Sequence, residues 1–166
     1  MNQHLEIVPS NVTSDGTLSF RNGQPVIQFI VGESDRFILG DSIRFTGNFQ
    51  TFLSPDTLST DADPLNISQR LGIWSCIDQL VIKSQRTNQV IEHLRNYNMS
   101  ALTVPNSNAV KQSVVVNDGQ LGKNPNPFCV PLPCGFFNGG QAIPLANDWG
   151  VGGLIIELHL APDNNV

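Results

Sequence analysis

The sequence predicts an all-β, antiparallel fold with one short helix, and three observations carry that prediction. Charged residues make up only 14% of the 166 residues, against about 25% in an average soluble domain. The polarity comes from Asn, Gln, Ser and Thr instead, and 14 Gly and 11 Pro punctuate the chain. Helices usually coat their exposed faces with Glu and Lys, so this balance favours strands joined by turns. Third, the clearest periodicity is two. The length fits a single domain, residues 1–166, with one sizeable core.

Two stretches alternate cleanly. Between Ser42 and Phe52, Ile43, Phe45, Gly47 and Phe49 fall on one face, with Ser42, Arg44, Thr46, Asn48 and Gln50 on the other. From Leu154 to Ala161, Leu154, Ile156, Leu158 and Leu160 point inward and Glu157 and His159 outward. Gly152-Gly153 opens that strand and Pro162 stops it. A period of two marks a half-buried strand.

Shorter candidates lie between. Pro25 to Val31 follows the turn pair Asn22-Gly23, across which Thr17 to Phe20 is placed to pair. Phe37-Ile38-Leu39 runs into a kink or bulge at Gly40-Asp41. Ile73 to Lys83 is nearly continuous in apolar residues, as in a strand buried on both faces. Val114-Val115-Val116 ends at the turn Asn117-Asp118-Gly119. Phe128 to Leu132 and Gln141 to Leu145 complete the set, separated by Asn138-Gly139-Gly140. The helix is expected where Val90, Ile91, Leu94, Tyr97 and Ala101 recur at helical spacing, with Asn88 as N-cap and Pro105 beyond. Ser54 to Gln69 and Thr103 to Pro127 are too long for tight hairpins. They read as surface excursions between strands that are not neighbours in sequence, as in Greek keys and jelly rolls.

Catalytic constellations do not emerge, so no enzyme is expected and no catalytic, cofactor or metal residue is assigned. The three histidines, His4, His93 and His159, form no His-x-His pair. Glu157 and His159 share a strand face, but two ligands need a third, and an ion pair or hydrogen bond is the expected role. Asp56, Asp61 and Asp63 lack the Gly and terminal Glu of a calcium loop. Gly150-Val151-Gly152-Gly153 leads into a strand, so it offers no helix terminus to phosphate. Cys76, Cys129 and Cys134 are expected as reduced thiols; a Cys129–Cys134 bridge or metal site is the alternative, and without a second Cys or His pair nearby the spacing is a weak zinc signal. Asn-x-Ser/Thr triplets begin at Asn11, Asn66 and Asn98, and Met1 to Ser10 has neither the basic start nor the apolar run of a signal peptide. Secretion is therefore not expected. The net charge is −5 with nine scattered Lys and Arg, which gives no footprint for direct nucleic-acid binding. Trp74 and Trp149 are both expected to pack.

Two phrases carry a family likeness. The first is Gly72-Ile-Trp-Ser-Cys-Ile-Asp-Gln-Leu-Val-Ile-Lys-Ser84 followed by Gln89-Val-Ile-Glu-His-Leu-Arg-Asn-Tyr97. The second is Gly135-Phe-Phe-Asn-Gly-Gly-Gln-Ala-Ile-Pro-Leu145 followed by Gly152-Gly-Leu-Ile-Ile-Glu-Leu-His-Leu-Ala-Pro162. In this order, downstream of the Ser42–Phe52 strand, they resemble the first barrel of double-jelly-roll major capsid proteins. The likeness is to the Polinton, adintovirus and virophage-like lineage of eukaryotic DNA viruses.

The resemblance implies an antiparallel jelly-roll sandwich or barrel that self-assembles into homotrimeric, pseudo-hexameric capsomers of an icosahedral shell. Penton and minor capsid proteins would be its partners, the virion its location, and the host cell its place of assembly; it does not choose for or against an inner membrane. That family carries two barrels and this chain is long enough for one, so it is expected to be the N-terminal barrel of a longer protein. The alternatives are a single-barrel minor capsid or penton protein, and a glycan-binding β-sandwich, which would need an aromatic platform.

Overall fold

The computed structural model describes residues 4–11, 25–49, 52–54, 57–58, 71–101, 126–138 and 140–162. In chain order the strands are β1 (Val26–Val31), β2 (Phe37–Leu39), β3 (Arg44–Phe49), β4 (Phe52–Ser54) and β5 (Thr57–Leu58). There follow β6 (Ile77–Ser84), β7 (Val90–Arg95), helix α1 (Tyr97–Ala101), β8 (Asn126–Pro131), β9 (Ala142–Pro144) and β10 (Leu154–Leu160). Single 3₁₀ turns occupy Gly40–Ser42 and Gly72–Cys76. The fold is all-β and antiparallel, with one short helix.

Its organising feature is nested pairing. β1 pairs with β10, from Val26↔His159 to Val31↔Leu154. β2 pairs with β9, and β3 with β8 from Arg44↔Pro131 to Phe49↔Asn126. The early strands thus meet the late ones in reverse order, as in a long hairpin wound on itself, the arrangement that generates Greek keys and jelly rolls. β6 adds beside β10 and β7 beside β6, giving a four-stranded sheet in the order β1-β10-β6-β7.

One core joins these ladders. Leu80, Ile82, Leu154 and Leu158 of the large sheet are fully buried together with Val130 of β8, Trp74 and Tyr97. Ile143 of β9 belongs to the same cluster. Phe29 of β1 meets Phe45 of β3 edge-on at 6.2 Å, and Phe45 meets Phe128 of β8 at 5.0 Å. Side chains from separate ladders therefore fill one layer, as in a sandwich.

Of the two alternating stretches, the one from Leu154 folds as expected, whereas the one from Ser42 to Phe52 is shorter: Ser42 lies in a 3₁₀ turn, the strand is Arg44–Phe49 and Phe52 begins β4. Leu154, Ile156 and Leu158 are buried while Glu157 and His159 are only partly buried, and Ile43, Phe45 and Phe49 face inward. Gly152 and Gly153 have φ of 63° and 77°, a left-handed pair that only glycine adopts without strain. The kink at Gly40 is real: a Cβ there would sit 2.6 Å from the Phe137 carbonyl oxygen.

Three expectations are corrected. The helix from Asn88 to Ala101 is mostly strand: Val90–Arg95 pairs with β6, with Gln79↔Arg95 and Leu80↔Leu94 in register. Only Tyr97–Ala101 is helical. Asn88 is no N-cap but a hairpin residue with φ 55°, its N–H bonded to the Ser84 carbonyl at 2.9 Å; Asn tolerates that conformation better than most residues. The apolar run from Ile73 begins not as strand but as the 3₁₀ turn, fixed where the Ser75 hydroxyl donates to Gly72 O at 2.7 Å. Trp74 Nε1–H donates to Pro131 O at 2.9 Å, docking that turn on β8. Finally, Ser54, expected to open a long loop, pairs with Thr57 in the β4–β5 hairpin. The expected elements at Thr17–Phe20, Asn22-Gly23 and Val114–Gly119 lie outside the described residues, as do Asp56, Asp61, Asp63 and Asn66.

Ser10 and Asn11 guard the β1 edge of the large sheet. Ser10 N–H donates to Gln28 O at 2.7 Å. The Asn11 carboxamide donates to Val26 O and accepts from Gln28 N–H, both at 2.7 Å. A side-chain amide here substitutes for the peptide group of a neighbouring strand, satisfying an otherwise open edge.

Candidate functional site

At one end of the body three turns converge on an exposed aromatic pair. The connection from Pro144 to Gly153 is closed by its own backbone: Val151 N–H bonds to Pro144 O, Gly152 N–H to Ala146 O and Gly153 N–H to Leu145 O, at 3.0–3.1 Å. Gly150 lies so close that a Cβ would be 2.7 Å from Ala146 O. The β6–β7 turn is tied to this loop through Arg86 N–H to Gly152 O (3.2 Å), Gln85 N–H to Gly153 O (3.1 Å) and Ser84 Oγ to Val151 O (2.8 Å). Leu145 N–H reaches Arg36 O at 3.0 Å, just before β2. Both ends of the loop are thus tied to the body by backbone bonds.

What it presents is Trp149, 58% exposed, against Phe37, 54% exposed, with ring centroids 5.3 Å apart. Leu39 continues the patch two residues along β2, at 45%. Its partner across the β2–β9 ladder, Ala142, is also exposed. Trp149 is therefore not packed as its sequence setting led us to expect, whereas Trp74 is, at 1% exposed. The sequence signal was ambiguous. A three-residue strand Phe-Ile-Leu buries either its middle or its ends, and the structure turns only Ile38 inward. Clustered, exposed aromatics are unusual outside interaction surfaces.

A polar site crosses the outer face of the large sheet. Lys83 Nζ bonds both Glu157 oxygens at 2.9 and 2.8 Å, and Gln28 Nε2 reaches Oε1 at 3.2 Å. Burial alone would push the Glu157 carboxyl up; the Lys83 and Gln28 bonds outweigh it and hold the pKa below the ordinary value. His159 Nε2 lies 3.7 Å from Glu157 Oε2, too far for a hydrogen bond. Glu157 is an ion-pair member, but its partner is Lys83 and not the expected His159, which only approaches to 3.7 Å. Among the described residues no three His, Cys, Asp or Glu side chains gather to hold a metal.

A second carboxylate works structurally. Glu92 of β7 accepts from Gly135 N–H (2.9 Å) and Phe136 N–H (2.7 Å), clamping the turn that follows β8. Beneath it lie Tyr97, fully buried with its hydroxyl unpartnered, and Cys134. Burial pushes the Cys134 thiol up to about 12 and the Cys76 thiol up to about 11, so both are protonated and poorly nucleophilic at neutral pH. Cys129 is exposed and free. Asn11, first residue of one Asn-x-Thr triplet, is taken up by the β1 edge.

The fold and these surfaces define an antiparallel, sandwich-like all-β protein whose most distinctive surface is apolar. No protein-family profile, curated protein or solved structure matches the chain.

Proposed function

We propose that this chain is a structural, self-assembling protein: the first jelly-roll barrel of a double-jelly-roll major capsid protein of a eukaryotic double-stranded DNA virus or virus-like element. In this reading it forms homotrimeric, pseudo-hexameric capsomers in the virion shell, beside penton and minor capsid proteins, and acts without catalysis or a cofactor. The observation that carries self-assembly is the Phe37–Leu39–Trp149 patch, an exposed apolar surface built on a ring pair. A neighbouring subunit is its natural cover, because buried aromatic anchors dominate stable interfaces. The nested strand pairing supports the barrel, and the two phrases described above supply the lineage.

Native mass spectrometry of the protein from its source tests the reading. Assemblies in threes are expected, and Phe37→Ser with Trp149→Ser should dissociate them while leaving the fold intact. Assemblies in fives would transfer the chain to a vertex protein, and a monomer at every concentration would remove the shell reading.

The same aromatic pair favours a second reading, a glycan-binding surface, since exposed rings are what such a site requires. Saturable micromolar binding in a glycan screen, lost on Trp149→Ser, would select it.

A further inference from the structure

The last strand of the large sheet carries a second exposed surface with an apolar end. β7 turns Glu92 and Leu94 toward the body and leaves Ile91, His93 and Arg95 exposed at alternate positions. Ile91 is 39% exposed, and Val90 beside it 50%. The His93 ring is steadied by Gln79, with Nε2 2.9 Å from Oε1. Arg44 donates to Asp41 O, Lys83 pairs with Glu157, and Arg86 donates to Asn147 O. Arg95, by contrast, makes no hydrogen bond or ion pair among the described residues. β7 therefore presents an aliphatic group, an imidazole and an unpaired guanidinium in a row, about 6.6–6.8 Å from one to the next.

The patch on β2 has the opposite polarity. Glu33, Asp35 and Asp41 are exposed within four residues of Phe37, and Asp148 is exposed next to Trp149. The only other exposed carboxylate among the described residues is Glu6. Asp35, two residues ahead of Phe37, makes no hydrogen bond or ion pair there, and Arg36 between them is already engaged within its own chain. Asp35, Phe37 and Leu39 thus form a second row at alternate positions: carboxylate, ring, aliphatic group.

We propose that the Asp35–Phe37–Leu39 row of one copy docks on the Ile91–His93–Arg95 row of the next. The proposal rests on the self-assembly reading and names the surface that covers the aromatic patch. Laid antiparallel, the rows match group for group: Asp35 meets Arg95, Phe37 meets His93 and Leu39 meets Ile91. The occupant is a second copy because this chain itself carries the complement, in charge and in spacing. The patch cannot serve as its own partner, since that would bring Asp35, Asp41 and Asp148 against the same carboxylates of the other copy. The two rows lie on different strands, so the contact is heterologous, the kind that closes into a ring such as a trimer.

Charge reversal tests the match. Asp35→Arg and Arg95→Asp are made singly and together in the full chain, and assembly is followed by native mass spectrometry over a dilution series. Both side chains are exposed and bond nothing in the described body, so the fold does not depend on them. Each single reversal opposes like charges and should raise the concentration at half-assembly about tenfold; the two together should restore it to within about threefold of the native chain. Single reversals without effect, or a double variant as weak as the two losses combined, would overturn the docking and leave self-assembly standing. A native chain that stays monomeric at every concentration removes both. Independently, Ile91→Ser with the charges intact should shift the midpoint in the same direction as the single reversals, and an unchanged midpoint would take β7 out of the contact.

Discussion

Glu157 shows how one residue's surroundings decide its role. In the sequence it stands two positions from His159 on the polar face of a strand, where a shared metal was one reading. The structure interposes Lys83 from β6, more than seventy residues away, and that pairing had no local signature. Because the folded pKa of Glu157 lies below the ordinary 4.5, the pair's stabilisation is complete above that pH. It is lost as pH falls through the lower folded value. Lys83→Met should therefore cost about 1–2 kcal/mol at pH 7, the range of a charge-assisted hydrogen bond. The deficit should shrink on acidification, and urea unfolding at pH 7 and pH 3 measures both. Trp149 was illegible for a different reason: composition marks an indole as apolar without saying whether the loop carrying it turns inward.

The element that misled the sequence reading is β7. Val90, Ile91, Leu94 and Tyr97 recur at helical spacing, yet the segment is a strand followed by one helical turn. Its true period of two was hidden because one of its two inward positions is Glu92, a carboxylate whose work is to bind backbone N–H groups 43 and 44 residues downstream. Local propensity was no guide, since the edge of β6 offered a full ladder to whatever followed the turn. The strands β3 and β10 were legible because their inward positions are uniformly apolar or Gly. Two residues beyond the end of β7, Tyr97 buries a hydroxyl that has no partner. An unmade bond in the interior is costly, so Tyr97→Phe should raise stability by about 1 kcal/mol. A higher urea midpoint with unchanged slope would show it; a lower midpoint would mean that the hydroxyl is bonded through water.

For the whole molecule, the fold class followed from composition and alternation, but the pairing scheme did not. Nothing in β1 names β10 as its partner 129 residues away, though Gln28 and Glu157 sit directly opposite one another. β10 lies between β1 and β6, so its inward residues support the main ladder on both sides. Leu158, fully buried there, should cost 2–5 kcal/mol as Leu158→Ala, roughly the range for a core leucine. Leu39→Ala, in the exposed patch, should change the unfolding midpoint of the dilute protein by less than about 0.5 kcal/mol. Comparable losses at both positions would mean that the patch is covered in the isolated chain.

The closing of β1 against β10 also sets how the body bears load. Pro25 O accepts from Leu160 N–H at 2.6 Å, so the chain arrives and departs at the same corner. Tension applied through the backbone on either side would open the ladder from Val26↔His159 inward, one rung at a time, as a zip opens. Force spread over the flanks would meet all the rungs together. By this geometry the ladder resists pressure on its flanks better than tension along its own chain.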